Sequence, residues 1–386
     1  MFCMMLNLSG LAVFSQVTFI IESVPADTPA SDSLFIAGSL NGWEPGSPAY
    51  MLHKNADLKW SITIPAQAAE TVIRYKFTRG SWTTVEKGPE GEEIADRSYT
   101  FGSTPSVEVA IAKWADGGGT VKSTAVANVK IIRDDFHIPQ LNRNRRIWMY
   151  FPPDYETSGQ RYPVLYMHDG QNIFDALTSF SGEWEVDETL NKLAAQGKRV
   201  PLVVGIDNGG NDRISEYTPW QSIKYGGGDG EKYAQFIVET LKPFIDQNYR
   251  TLPDRNNTAI LGSSLGGSIS HFIALNYQDI FSKAGIFSPA YLISDTIWEA
   301  THDTRKQKDI RFYQLCGTNE GADVAGDMQR MNDSLIEIGF RQGRIRNKIV
   351  PGGQHNEKLW RENFEEAYLW LFDSYANSGR KKNACR

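Results

Sequence analysis

Two rhythms of apolar and polar residues divide this chain. From residue 17 to about residue 114, apolar positions alternate with polar ones over short runs. Val17-Thr18-Phe19-Ile20-Ile21, Leu34-Phe35-Ile36-Ala37-Gly38, Trp60-Ser61-Ile62-Thr63-Ile64, Val72-Ile73-Arg74-Tyr75-Lys76-Phe77 and Ser106-Val107-Glu108-Val109-Ala110-Ile111 are such runs, with turns rich in Pro, Gly, Asn and Asp between them. Alternation puts every second side chain on one face of a strand, and no helical period interrupts it. The pattern predicts a β-sandwich over residues 16–115. Asp116-Gly117-Gly118-Gly119-Thr120 then reads as the core of a flexible linker, residues 116–125.

After the linker the rhythm changes. Residues 126–135 and 145–151 predict two edge strands, and Tyr162-Pro163-Val164-Leu165-Tyr166-Met167 and Pro201-Leu202-Val203-Val204-Gly205-Ile206 predict short buried ones. Helical periods occupy residues 184–196, 230–249, 326–339 and 357–376. Buried strands alternating with amphipathic helices predict a mostly parallel central sheet covered on both faces, here over residues 126–378, with 379–386 as a tail. Ligands of such sheets sit at the carboxyl ends of the strands.

One turn stands out in this second half. Thr258-Ala259-Ile260-Leu261 reads as a buried strand and the residues from Gly267 onward as a helix, with Gly262-Ser263-Ser264-Leu265-Gly266 between them. Small residues two before and two after Ser264 permit a sharp elbow, which exposes the Ser264 hydroxyl at a helix N-terminus. Ser263 reads as a small turn residue. A serine hydroxyl needs a base to become a nucleophile. Of six histidines, His355 is the best placed, because Pro351-Gly352-Gly353-Gln354 forms a turn between a strand and a helix. His271 falls within the elbow helix and His168 closes a strand; His53, His137 and His302 lack supporting context. A carboxylate must orient the imidazole. Glu320 follows the strand Ile310-Arg311-Phe312-Tyr313-Gln314-Leu315-Cys316, and Asp323 is a rival in the same loop, farther from the strand end. For a developing oxyanion, Leu265 offers the N–H after the serine. Asp169-Gly170-Gln171 reads either as a loop aiming the Gln171 N–H into the site or as an ordinary Asp-Gly turn.

Composition narrows the classes. With 386 residues, two or three domains are expected. Apolar residues at 41% against 22% charged give packed cores, not disorder. A net charge of −6 argues against general affinity for nucleic acid or anionic membrane. Cys3, Cys316 and Cys385 show neither metal-ligand nor disulfide spacing, and no metal or cofactor is expected. Residues 1–15 are apolar and end Val13-Phe14-Ser15, which reads as a secretory signal without its positive region, or as a first strand. The first reading gives a secreted or periplasmic protein. No other stretch is long enough to cross a bilayer.

Four stretches resemble the serine esterase family that includes esterase D, carbohydrate esterase family one, the enterochelin-type esterases and the mycolyltransferases. They are Leu165-Tyr166-Met167-His168-Asp169-Gly170-Gln171-Asn172, Val203-Val204-Gly205-Ile206-Asp207-Asn208-Gly209, Ile260-Leu261-Gly262-Ser263-Ser264-Leu265-Gly266-Gly267 and Pro351-Gly352-Gly353-Gln354-His355. The resemblance implies an α/β-hydrolase fold, with Ser264 as nucleophile, His355 as base, Glu320 as acid, and Leu265 and Gln171 as oxyanion donors. Ala37-Gly38-Ser39-Leu40-Asn41-Gly42-Trp43 and Arg74-Tyr75-Lys76-Phe77-Thr78-Arg79-Gly80-Ser81-Trp82 resemble starch- and glycogen-binding modules. That likeness implies an immunoglobulin-like sandwich whose Trp43 and Trp82 stack on sugar rings while Lys76 bonds hydroxyls. The alternative is that both tryptophans cover the sandwich core.

The leading expectation is a serine esterase acting on acyl esters of carbohydrates, such as acetyl or feruloyl groups. A siderophore-trilactone esterase, an acyltransferase and a non-catalytic glucan-binding protein are the competing readings. Glu183, Trp184, Arg213, Glu216, Tyr217 and Trp220 fall in loops after strands, either shaping a pocket or forming a salt-bridged scaffold. Trp360 reads as helix-face core.

Overall fold

The computed structural model describes residues 14–91, 93–117, 123–179, 182–321 and 323–373. The chain divides into two compact units, Met1–Val121 and Lys122–Arg386. Most of the signal-like segment, the centre of the linker, the basic tail, Cys3 and Cys385 lie outside the described residues.

The first unit is a β-sandwich. Its strands are β1 (Phe14–Ser23), β2 (Phe35–Gly38), β3 (His53–Lys54), β4 (Trp60–Ala68), β5 (Val72–Thr78), β6 (Glu86–Lys87), β7 (Arg97–Thr100), β8 (Ser106–Ala110) and β9 (Lys113–Trp114). One sheet runs β3-β4-β1-β8, a second β2-β5-β7, and β6 pairs with β9. Alternate residues Val17, Phe19 and Ile21 of β1 meet Ile73, Tyr75 and Phe77 of β5 in the core, with Phe19 and Tyr75 rings 4.7 Å apart. Phe14 and Ser15 already pair with Ala68 and Gln67, so the end of the signal-like segment is the beginning of β1.

Trp43 and Trp82 come together, their rings 6.1 Å apart and each half-buried. Trp43 has φ 64°. Lys76 departs from the expectation of a surface donor. Its side chain is buried, and its ammonium is bonded to Glu93, with Asp96 at 3.9 Å; Lys87 shares the same Glu93. Lys76 sits on the face of β5 opposite the core residues Tyr75 and Phe77, where its buried ammonium is held by acids and not left free for a sugar.

The second unit holds an eight-stranded sheet in the order β10-β11-β13-β12-β14-β15-β16-β17. Its strands are β10 (Val129–Ile138), β11 (Arg143–Tyr150), β12 (Val164–His168), β13 (Leu202–Ile206), β14 (Thr258–Ser263), β15 (Lys283–Phe287), β16 (Arg311–Gly317) and β17 (Ile345–Val350). The pairs β10–β11 and β11–β13 are antiparallel and the rest are parallel. The helices are α1 (Tyr155–Ser158), α2 (Val186–Ala195), α3 (Arg213–Tyr217), α4 (Gly230–Gln235), α5 (Lys242–Asn248), α6 (Leu265–Asn276), α7 (Thr296–Asp303), α8 (Val324–Glu337) and α9 (Glu357–Leu371). A π-turn, Phe236–Leu241, joins α4 to α5.

Strand alternation decides the layers. Val164 and Tyr166 of β12 face one core with α4 to α8, while Leu165 and Met167 face the other with α2 and α9. This is an α/β-hydrolase fold. Of the two strands expected at the edge only β10 is one; β11 lies between β10 and β13. Strand β15 has no signal in the sequence, because Lys283-Ala284-Gly285 is poor in strand-forming residues; pairing on both sides with β14 and β16 holds it. Cys316 is buried and unpaired, and burial pushes its thiol up to about 12.

Candidate active site

The turns at the carboxyl ends of β12, β14 and β15 meet at Ser264, and the turn after β15 meets that after β16 through Ser288 and Glu320. This residue occupies the turn between β14 and α6 with φ 57° and ψ −126°, a conformation that costs a residue with a Cβ about 1–3 kcal/mol. Close approach explains the flanking glycines. A Cβ on Gly262 would stand 2.6 Å from the Gly266 carbonyl oxygen and 2.8 Å from His168 Cδ2. One on Gly266 would stand 3.3 Å from His168 Cβ and from Asp169 Oδ2. The Ser264 N–H donates to Phe287 O at 2.9 Å, and Ala290 N donates to Ser264 O at 3.2 Å. Its Oγ makes no capping bond to α6 and is bonded to no other described residue.

Strain is concentrated here. Asp169, Ser264 and Ser288, which follow β12, β14 and β15, have φ of 57°, 57° and 44°. Three non-glycine residues in the left-handed region at neighbouring strand ends mark a place where surroundings override backbone preference.

Glu320 and His355 are brought together. Glu320 is buried, and its Oε2 lies 3.0 Å from His355 Nδ1. Its Oε1 accepts from Gly317 N at 2.6 Å and from Ser288 Oγ at 2.7 Å. The loop carrying His355 is tied to β16 by Thr318 N to Val350 O at 3.0 Å and Asn319 N to Gly353 O at 2.8 Å. Asp323 is engaged differently: it caps α8 by accepting from Gly326 N at 2.9 Å. Ser264 and His355 both flank the 287–290 turn, the serine through Phe287 and Ala290 and the histidine through Trp360 and Ser288. No hydrogen bond joins them directly, and such bonds often close only around substrate.

The two expected oxyanion donors have their N–H groups unengaged by described residues. Leu265 is the first residue of α6, where an N–H has no intrahelical acceptor. Gln171 lies in the short turn Gly170–Asn172 after β12. Its side-chain Oε1 accepts from Asn208 N at 3.1 Å and its carbonyl from Thr178 Oγ1 at 2.7 Å. The turn is anchored by Asp169, which Arg213 grips through Nε at 2.7 Å and a second nitrogen at 2.9 Å, and which Asn208 Nδ2 reaches at 2.7 Å. Burial works to raise the Asp169 pKa, but Arg213 and Asn208 outweigh it and hold the carboxyl below its usual range.

The remaining histidines of this region are structural. His168 lies under the elbow, its Nδ1 2.9 Å from Tyr233 OH, and burial lowers its pKa to about 3. His271 bonds Thr301 Oγ1 at 3.1 Å and burial lowers it to about 3 as well. Sequence reasoning missed Ser288 and undervalued Trp360. Trp360 is buried as expected, yet its Nε1 donates to Ser288 Oγ at 2.8 Å and its ring meets His355 edge-on at 5.3 Å. Nothing in the sequence around Ser288 marks it, since β15 itself is unmarked.

Beside Leu265 lies a small apolar recess of about 10 Å³, lined by Tyr217, Trp220, Leu265, Tyr291, Ile293 and Ile297, among others. Of the undecided loop residues, Tyr217 and Trp220 therefore line a pocket. Arg213 and Glu216 are scaffold: Glu216 is buried and held by Arg145 at 2.6 Å and Arg143 at 3.0 Å. Trp184 packs into the core against Phe287 and Trp360, 5.5 Å from each.

Residues 138–371 match the model of the family described as "Putative esterase". The chain belongs to this esterase family. The esterase is 28% identical over 242 residues to the uncharacterized protein YbbA of Bacillus subtilis, a match covering 59% of this chain and 93% of YbbA. It is 24% identical over 217 residues to an endo-1,4-beta-xylanase/feruloyl esterase of Xylanibacter ruminicola, covering 55% of this chain and 27% of that one. A stretch of 110 residues, 28% of this chain and 8% of the relative, is 38% identical to an alpha-amylase of Niallia circulans. That stretch falls in the N-terminal unit, which is starch-binding-like. Among solved structures, an enterobactin esterase of Shigella flexneri shares the fold with a TM-score of 0.56 at 14% identity, covering 89% of this chain and 88% of that one.

Proposed function

We propose that this esterase hydrolyses acyl esters of carbohydrates, of acetyl or feruloyl type, through an acyl-enzyme on Ser264. The observation that carries the reading is the 3.0 Å contact of Glu320 Oε2 with His355 Nδ1, joined through the 287–290 turn to a strained serine at a helix N-terminus. In this mechanism His355 Nε2 takes the Ser264 proton as Oγ attacks the ester carbonyl. Glu320 keeps the other imidazole proton on Nδ1 and stabilises the imidazolium. The N–H groups of Leu265 and Gln171 receive the oxyanion, each contributing on the order of 10²–10³ in rate. The C–O bond to the sugar then breaks, the His355 imidazolium protonates the departing sugar oxygen to a hydroxyl, and water repeats the sequence to free the acid.

Two features support the substrate class. The amylase-like N-terminal unit presents Trp43 and Trp82 side by side, a surface suited to α-glucan. The recess beside Leu265 is apolar, and no Arg or Lys lines it among the described residues, so its walls offer no charge to an anionic substrate. We include export in the proposal, on the apolar run of residues 1–15 that ends Val13-Phe14-Ser15. The second reading is a siderophore trilactone, which the extent of the match to the enterobactin esterase structure favours. An anionic chelate calls for cationic walls, and Arg213 is occupied by Asp169.

The test is hydrolysis of p-nitrophenyl acetate, acetylated and feruloylated oligosaccharides and a catecholate trilactone by wild type and Ser264→Ala. Loss of about 10⁶ in kcat in the variant is expected. Unchanged turnover removes the mechanism, and preference for the trilactone removes the carbohydrate. Product analysis with an added alcohol separates hydrolysis from acyl transfer.

A further inference from the structure

The esterase unit contains a second group of acids that the reaction does not use. Carboxylate oxygens of Glu183, Asp187 and Glu188 lie within 4.8 Å of one another. Glu183 and Asp187 are only 6% and 0% exposed. Glu183 Oε1, Asp187 Oδ1 and Glu188 Oε2 are each buried and accept no hydrogen bond. Their companion oxygens are used: Thr124 Oγ1 donates to Glu183 Oε2 at 2.8 Å and Val126 N to Asp187 Oδ2 at 3.0 Å. The nearby cations are engaged elsewhere. Arg361 pairs with Glu185 at 3.2 Å and donates to the Glu183 carbonyl, and Lys192 pairs with Glu365 at 2.9 Å. Buried carboxylates without a counter-charge are strongly unfavourable, so three orphaned oxygens facing one small volume call for a positive partner.

We propose that Glu183, Asp187 and Glu188 form a binding site for one calcium ion. Two oxygens on the same ion at about 2.4 Å each lie at most about 4.8 Å apart, which is the span of this cluster. Carboxylate oxygens are hard ligands, and calcium accepts irregular, largely dehydrated carboxylate sites, whereas magnesium demands a near-ideal octahedron and keeps its waters. No motif announces the cluster, because one acid precedes α2 and two stand in its first turn, without a loop motif. Burial, with the repulsion of neighbouring acids, pushes Glu183 up to about 7 and Asp187 up to about 8, so protons compete with the ion near neutrality. The ion fastens the opening of the esterase unit. Ser123, Thr124 and Val126 all donate to Asp175 or to the cluster, so neutralising these acids secures that segment against α2.

The test uses the full chain, freed of metal by chelator, at pH 8.5. Calcium at a hundredfold excess over its Kd is expected to raise the unfolding midpoint by about 5 °C or more. Terbium, the luminescent stand-in, is expected to bind at one per chain, excited through Trp184 beside Glu183, and to be displaced by calcium. Asp187→Asn and Glu188→Gln are expected to keep the wild-type circular dichroism and lose both responses. Ser264→Ala is expected to keep both, which separates the ion from the esterase reaction. Absence of the midpoint shift and of luminescence overturns the proposal and leaves a carboxyl pair sharing a proton. Retention of either response in Asp187→Asn places the ion elsewhere and overturns it equally. An equal response to magnesium overturns the assignment to calcium.

Discussion

Ser288 Oγ donates a 2.7 Å hydrogen bond to Glu320 Oε1 while accepting one from Trp360 Nε1 at 2.8 Å. With Gly317 N as a further donor, one oxygen of Glu320 is saturated and the other is left to His355. The acid is therefore held in one orientation. Glu320→Gln is expected to lower kcat roughly 10³–10⁴-fold with little change in KM, because the amide supports the wrong tautomer. Asp323→Asn is expected to keep near-wild-type turnover and to lose no more than about 1 kcal/mol of stability, as an altered helix cap. Steady-state hydrolysis of p-nitrophenyl acetate and thermal unfolding check both.

Arg213 grips both oxygens of Asp169, and Asp169 holds the turn that carries Gln171. Lysine keeps the charge but not the fork. Arg213→Lys is expected to lower kcat at least about tenfold, yet less than the hundredfold or more that follows loss of an oxyanion donor. The unfolding midpoint separates this from general destabilisation: it is expected to fall far less than activity does.

The raised acids of the cluster give a pH dependence with a definite sign. Burial and neighbouring carboxylates lift Glu183 from 4.5 to about 7 and Asp187 from 3.8 to about 8. The folded state thus binds more protons than the unfolded chain between those limits, and stability falls as pH rises from about 4 to about 8. Denaturant unfolding across that range, in chelator, is expected to show this decline. Asp187→Asn is expected to flatten it, since an amide has no proton to lose.

Trp43 and Trp82 are the proposed contact with α-glucan. Replacing both with alanine is expected to weaken retention in starch gels at least about tenfold, or roughly 1.4 kcal/mol. Hydrolysis of p-nitrophenyl acetate is expected to stay unchanged. Retention that persists returns the pair to a role as cover for the sandwich. Lys76, locked in its ion pairs, is not part of this surface.

Much of the architecture was legible because it is written in local chemistry. Alternation in Val17-Thr18-Phe19 and continuous burial in Leu202-Val203-Val204 announce their strands by period and run length. Gly262 and Gly266 announce the elbow, because a Cβ at Gly262 would overlap the Gly266 carbonyl and one at Gly266 would crowd His168 and Asp169. What stayed hidden depends on neighbours far along the chain. Lys76 looks like a surface donor until Glu93 folds over it. Glu320 and Asp323 are near equals in sequence, and only tertiary contact separates the one on His355 from the one on α8. Ser288 gains its importance from partners 32 and 72 residues away.

The elbow and the recess beside it differ in how much variation each can absorb. Around Gly262 and Gly266 the nearest atoms are main chain, His168 and Asp169, and an added methyl group meets them at 2.6 to 3.3 Å. The recess shares Leu265 and Ser268 with the elbow helix but draws the rest of its walls from residues 217–220 and 290–297, connections that carry no strand register. Diversification across relatives can therefore proceed by repainting those walls while the serine's mount stays untouched. An engineer seeking a new acyl preference has the same latitude, and would begin with Trp220 or Ile293 and leave the glycines alone.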